Sequence, residues 1–432
     1  MLLDGGLSRL LDRPEFVMST SSRSLGGPHP HGSPIDADGP RIPLYTKEFA
    51  ADPHRLYREM REQFGALAPV DLAPGVPATL VIGYQVARRI LNDPEHFPAD
   101  PRHWQRQIPA DCPVLPLMEW RPNAFRNSGA EHARYRTPTA AALSEVDMFS
   151  LHRTVEQIAF PLINSFCTTG TAEIIGEYAY PLTFQVLNTL LGCPADIGQR
   201  AADAMATIFD GADTEEADAM LVAALGDLIT LRREEPGNDI TSRLLRHPVK
   251  LDHTEMIAQL VSFYGAGIEP LPNLIVNTVR MLLTEDRFAG GLLGGSTTTR
   301  AAVDEVLFTD PPLANMCTTF PRQAILIDGV WLPAHQPVVI SMAACNNDPA
   351  IAIGEYVDNS SHLAWSIGPH ACPARSVAYL IAQDAVDQLL DALPEMRLAV
   401  PVGELRWRPG PFHRALTALP VTFPPSPPLS LG

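Results

Sequence analysis

His362-Leu363-Ala364-Trp365-Ser366-Ile367-Gly368-Pro369-His370-Ala371-Cys372-Pro373-Ala374-Arg375 is an irregular Gly/Pro loop that delivers one cysteine to the start of a helix. The helix is legible downstream, where Val377, Leu380, Ile381, Ala385 and Leu389 recur at helical spacing. A cysteine at such a point faces unpaired backbone N–H groups and the positive end of the helix macrodipole, and both favour thiolate over thiol. A sulfur so placed suits a soft partner. The other five cysteines, Cys112, Cys167, Cys193, Cys317 and Cys345, are scattered without a Cys-x-x-Cys pair. They argue against a zinc ribbon, a thioredoxin-like site or a disulfide scaffold, and read as buried packing in a reducing cytoplasm.

Helical segments dominate the chain around this loop. They are expected near 131–144, 152–167, 177–192, 198–209, 214–234, 253–284, 299–308 and 375–392, with a further one at 54–61 and a strand at Thr79–Ile82 running into a helix at Tyr84–Asn92. A strand-rich block at 323–342 contains Asp328-Gly329, a two-residue hairpin turn, and a second hairpin is expected around 396–423. The fold class is therefore mainly α with a small β part. Residues 1–40, with Ser19-Thr20-Ser21-Ser22 and a Gly/Pro/His stretch, read as a flexible leader, 41–423 as a single domain, and 424–432 as a Pro-rich tail. His29 and His31 lack a third ligand nearby and read as part of the solvated leader.

Composition narrows the function classes. Hydrophobic residues make up 46% of the 432 and charged ones 19%, the balance of a globular chain rather than a disordered one. The formal net charge of −17 repels polyphosphate, so no nucleic-acid partner is expected. No run of about 18 apolar residues occurs, so no membrane partner is expected either.

The cysteine loop resembles that of the cytochrome P450 family of haem-thiolate monooxygenases, whose usual form is Phe-Gly-x-Gly-x-His-x-Cys-x-Gly. Gly368, His370 and Cys372 match it, while Trp365, Ser366 and Ala374 depart from it conservatively or at tolerant positions. The resemblance extends over most of residues 41–423. It implies the cytochrome P450 fold, with haem b (iron protoporphyrin IX) held between a long central helix and the cysteine loop and Cys372 as the iron ligand. His132-x-x-x-Arg136 resembles the family's propionate-binding helix; residues four apart share a helix face, so the pair can reach one carboxylate together. Arg322, just before the hairpin, stands where another propionate partner does, and His370 completes the set. Trp365 and Gly368 are carried over as cofactor-binding residues of the loop.

The oxygen side departs from the family. Ala266-Gly267-Ile268-Glu269-Pro270 resembles its Ala-Gly-x-(Asp/Glu)-Thr segment, so Ala266, Gly267, Glu269 and Pro270 are the candidate catalytic residues. Glu269 fits the acid that steers protons, but Pro270 replaces the threonine hydroxyl. Pro270 and Pro272 also free the carbonyls of Ala266 and Ile268 and predict a kink in the helix. A second departure is Asp304-Glu305-Val306-Leu307-Phe308, where the family carries Glu-x-x-Arg: Phe308 replaces the arginine, and Val357 falls where the triad's third member stands. Glu305 is therefore expected to have another partner or to face water. The combination is similar to an atypical actinobacterial branch of the family that lacks both the Glu-x-x-Arg arginine and the distal-helix threonine.

From the resemblance, the expected activity is oxidation of a small apolar molecule with O2, in secondary metabolism. Electrons would come from a separate ferredoxin and ferredoxin reductase, because the chain has no nicotinamide or flavin fingerprint. Arg134, Arg136 and Arg375 are candidates for a local basic patch that docks the ferredoxin. The chain is expected to be a cytoplasmic monomer. Phe97, Trp104, Met118, Leu313 and Met316 are the candidate substrate contacts, with core packing as the alternative for each. Two other readings keep the haem: a peroxide-driven oxidant, which suits the missing threonine, and a haem-binding regulatory or partner protein with little turnover.

Overall fold

The computed structural model describes residues 41–210, 214–285, 298–351 and 361–430, the side chains of 206–210 and 214–215 excepted. The leader, with His29 and His31, and Val357 lie outside the described residues. The helices expected from periodicity form as Gly129–Ser144, Met148–Phe166, Tyr180–Leu191, Ala195–Asp210, Thr214–Glu234, Thr299–Thr309 and Arg375–Ala392. Local chemistry sets several starts. Thr298 accepts the Ala301 N–H at the head of Thr299–Thr309, and Asp252 with Glu255 forms a capping box at the head of His253–Ile268. The segment expected at 177–192 begins instead with a π-helical turn, Ile175–Ala179.

The long central helix expected at 253–284 is two helices, His253–Ile268 and Pro270–Thr284, divided at Glu269. Proline supplies the reason: Pro270 and Pro272 have no N–H to continue the ladder. Glu269 keeps right-handed dihedrals (φ −88°, ψ −54°), and its carbonyl accepts the Asn273 side-chain amide at 2.6 Å. The second half runs through the main core, where Leu274, Ile275, Val276 and Val279 pack in one cluster with Leu182, Val303, Ile381 and Ala385.

A five-stranded sheet is ordered β1-β2-β3-β8-β5, from Ile42–Pro43, Leu67–Ala73, Val76–Val81, Val338–Ile340 and Cys317–Thr319. Strand β8 pairs parallel to β3 and antiparallel to β5. Asp328 and Gly329 both adopt positive φ, 48° and 78°, and join the two-stranded hairpin of β6 (Ile325–Ile327) and β7 (Val330–Leu332). The C-terminal hairpin also forms, with β9 (Arg397–Leu398) against β10 (Pro420–Thr422), but β10 takes a further partner on its other edge, β4 (Thr171–Glu173). That partner lies far away in the sequence, and nothing local announces it. Among the described residues no helix is long and apolar enough to cross a membrane.

One half-buried ionic node joins residues from near the two ends of the described chain. Asp310 lies 3.0 Å from His54 Nε2, 3.0 Å from Arg414 Nε and 3.6 Å from Arg280 Nη2. The Arg414 guanidinium in turn sits 3.4 Å over the Trp407 ring.

Candidate active site

The cysteine loop is pinned at both ends. At its entry the Leu363 N–H donates to Asn346 Oδ1 at 2.7 Å, and Asn346 Nδ2 donates to the Leu307 carbonyl at 2.9 Å. At its exit the Cys372 N–H donates to the Trp365 carbonyl at 2.8 Å. Gly368 is required between them: its φ is +69°, and a Cβ there would lie 2.4 Å from the Leu91 carbonyl oxygen. Cys372 precedes a helix that begins at Arg375. Burial pushes its thiol up, against the opposing pull of the Ala374 N–H, Arg136 and Arg375. The Ala374 N–H at the helix start pulls toward the thiolate, as the sequence implies, while desolvation pulls the other way. A bound metal cation would reverse that balance and hold the thiol deprotonated. Pro373 cannot donate to the sulfur, so Pro373→Ala is expected to raise the iron reduction potential of the haem-loaded protein; an unmoved potential in a redox titration would refute this.

Three of the four expected propionate contacts converge beside this loop. The His132 and His370 rings lie 4.4 Å apart, and Arg136 Nη2 donates to the Ala371 carbonyl. Burial, then His132, Arg136 and Arg126, pull His370 down to about 4. His132 is lowered by burial and by Arg136. Arg126, which sequence reasoning missed because it sits in an irregular loop without a motif, is lowered to about 10, by burial first and then by Arg121. Among the described residues no carboxylate hydrogen bonds or ion-pairs with His132, Arg136 or His370. His132 Nε2 is moreover buried without a partner. Arginine charge beside two buried imidazoles, one with an orphaned nitrogen, fits a ligand that brings its own carboxylates, and the two propionates of haem answer that need. Arg322 is placed differently: it is exposed, its Nε donates to the Glu95 carbonyl at 2.8 Å, and no contact joins it to the cluster.

On the oxygen side Ala266, in the last turn of His253–Ile268, is exposed, although Tyr264 and Leu271 around it are buried. A Cβ on Gly265 would meet nothing within 4 Å, whereas one on Gly267 would meet Leu187 Cδ1 at 2.6 Å. Gly267 therefore lets the helix Tyr180–Leu191 approach closely. The Glu269 carboxylate forms an ion pair with Arg408 from the C-terminal segment, accepts from Tyr180 Oη at 3.3 Å and lies 3.2 Å from Asn273 Nδ2. Glu269, the acid expected to steer protons, is thus held by an arginine from a distant segment. Arg408 and Tyr180 carried no signal in the sequence, since each reaches Glu269 only through the fold.

Glu305 is buried, which removes the expectation that it faces water. Phe308 is also buried, with its ring edge-on to His362 at 5.2 Å. Phe308→Arg is accordingly expected to lower the thermal midpoint, because a guanidinium would be buried against His362 in place of an apolar ring; strong stabilisation would refute this. The expected basic patch is reduced as well. Arg134 makes two 2.7 Å bonds to Glu255 and Arg136 turns toward Ala371, so of the three only Arg375 keeps an exposed position without an anionic partner among the described contacts. Of the candidate substrate contacts, Phe97, Trp104 and Met118 are core residues, while Leu313 and Met316 are half-buried.

No family model matches the chain. It is 30% identical over 397 residues to the cytochrome P450 monooxygenase PikC of Streptomyces venezuelae, covering 87% of this chain and 92% of that protein. Similarity to cytochrome P450 107B1 of Saccharopolyspora erythraea is 27% over 403 residues, covering 88% and 98%. Among solved structures, CYP154C4 from Streptomyces sp. W2061 superposes with a TM-score of 0.79 at 27% identity over 89% of this chain and 98% of that one. By this similarity over most of both chains, this chain belongs to the cytochrome P450 family of haem-containing monooxygenases.

Proposed function

We propose that the protein oxidises a small apolar molecule with O2, using haem b and electrons from a separate ferredoxin and its reductase in the cytoplasm. The observation that carries this reading is the convergence of His132, Arg136 and His370, with the orphaned His132 Nε2, beside Cys372. Haem, when bound, supplies the redox chemistry of oxygen activation. The protein's own residues bind and orient it. Cys372 would hold the iron, and His132, Arg136 and His370 would receive the propionates; Arg322 would join them only by leaving the Glu95 carbonyl. Gly368 allows the loop to lie against Leu91, and Trp365 braces the loop by accepting the Cys372 N–H. Ala266 and Gly265 present a bare helix surface, and Leu313 and Met316 offer apolar contact, which supports an apolar substrate. The similar CYP154C4 from Streptomyces sp. ATCC 11861 has been solved with testosterone bound, which supports the same substrate class.

One observation favours a second reading, in which peroxide is the oxidant. Pro270 offers no hydroxyl, and Arg408 holds the Glu269 carboxylate, so neither member of the family's proton-delivering pair stands free. A peroxide-driven enzyme needs less proton relay. The two readings separate in one assay on the haem-loaded chain with an apolar substrate panel. Steady product formation with ferredoxin, reductase and NAD(P)H supports the first, and turnover only with hydrogen peroxide replaces it by the second.

A further inference from the structure

We propose that Asp304, His362 and Tyr379 form the link that holds the Cys372 loop to the helix Thr299–Thr309, in place of the network that the family's Glu-x-x-Arg begins and that this chain breaks at Phe308. The proposal rests on the haem-thiolate reading given above. Asp304 and Phe308 are four residues apart and share a helix face. That face meets His362, whose side chain is wholly buried. The Tyr379 hydroxyl donates to Asp304 Oδ1, and that bond uses its only proton. The 3.3 Å contact between His362 Nε2 and Tyr379 Oη must then run from the imidazole N–H to the phenol oxygen. The same Nε2 lies 3.8 Å from Asp304 Oδ1. A proton on Nε2 leaves Nδ1 as an acceptor, in keeping with its being buried without a partner. Phe308, edge-on at 84°, locks the imidazole plane. An apolar ring in the arginine's place is thus the residue that this arrangement needs, since a guanidinium there would compete with His362 for Asp304.

From Tyr379 the link continues to the ligand. Its ring lies 5.4 Å from that of Trp365, and the Trp365 carbonyl receives the Cys372 N–H. Arg300 and Arg375 place their guanidinium carbons 5.2 and 5.6 Å from the Tyr379 ring centroid, so the phenol touches the acid helix, the loop and the cysteine helix together. Burial alone would raise the Asp304 carboxyl, yet the neighbouring His362 imidazole and the Tyr379 hydroxyl hold it below its ordinary value. Burial and Asp304 push the Tyr379 phenol up to about 12, so it remains a proton donor throughout the working range. All three are positioning residues: they reach the reacting centre only through the loop.

The test uses the full haem-loaded chain with Tyr379→Phe, Asp304→Asn and the double variant. It reads the proportion of thiolate-type band in the carbon monoxide difference spectrum of the reduced protein, beside the thermal midpoint. A control is built into the same helix: His152 Nδ1 lies 2.8 Å from Asp384, which is equally buried but packs against a different helix. Each single variant is expected to lower the thiolate proportion at least about threefold, and the double variant no further, because both cut one link. Asp384→Asn is expected to lower the thermal midpoint and leave the proportion unchanged. Wild-type proportions in Tyr379→Phe and Asp304→Asn, losses that multiply in the double variant, or an equal loss in Asp384→Asn would each overturn the proposal. If Asp304→Asn does not fold, Tyr379→Phe decides alone. A wild-type protein without the thiolate band would instead sink the haem-thiolate reading itself, so the two failures are distinguishable.

Discussion

Cys372→Ala is expected to abolish both the thiolate-type carbon monoxide band and product formation, with the overall fold retained. Changing a residue that only supports a metal ligand typically costs about 10–100-fold in affinity or activity, and removing the ligand itself exceeds that range. Arg136→Ala falls inside it: one cation leaves the cluster, but His132 and His370 remain, so haem affinity is expected to fall about 10–100-fold in a haem-transfer titration. The contrast between the two is diagnostic. Equal effects would mean that the cluster, rather than the sulfur, holds the group. The fold should survive in Cys372→Ala because the loop is held by bonds that do not use the sulfur, from Leu363 to Asn346 and from the Cys372 N–H to Trp365.

Asp310→Ala is expected to cost about 3–5 kcal/mol of stability at neutral pH, because it leaves Arg414 buried, and Arg280 half-buried, without their shared anion. Burial alone would raise this carboxyl, but Arg414, then His54 and Arg280, hold it far below the usual carboxylate range. The sign follows from linkage. A carboxyl whose folded value is depressed contributes stability that is complete above its unfolded value, near 4, and is lost as the pH falls toward the folded one. The difference in thermal midpoint between wild type and variant should therefore be full at pH 7 and shrink below about pH 4. A difference that grew on acidification would refute the assignment. The effect bears on function as well, because Arg414 and Trp407 belong to the same segment as Arg408, which carries the ion pair to Glu269.

Much of the architecture was legible because its causes are local. The break at Glu269 follows from two prolines that lack an N–H, and the β6–β7 turn from Asp328-Gly329, a pair that tolerates positive φ. The helix after Cys372 follows from an apolar stripe at helical spacing. The pairing of His132 with Arg136 is likewise a matter of helix geometry, since residues four apart share a face. Strand β2 was harder to read, because Pro69 lies within it and proline ordinarily argues against a strand.

Other features had no local cause. Glu269 is paired by Arg408, which the fold brings to it from 139 residues away. Arg134 and Arg136, neighbours on one helix, were read as one basic patch, yet helix geometry sends the first to Glu255 and the second to Ala371. By itself the sequence determined what each backbone segment is able to do and which residue is able to hold iron, because those depend on φ, N–H groups and side-chain chemistry within a few residues. Only the tertiary structure decided which charges are neutralised, which are left without an anion beside Cys372, and that Asp304 meets Tyr379 and His362. Those outcomes depend on burial and on which distant side chain arrives first, and a buried charge takes whatever partner the packing delivers.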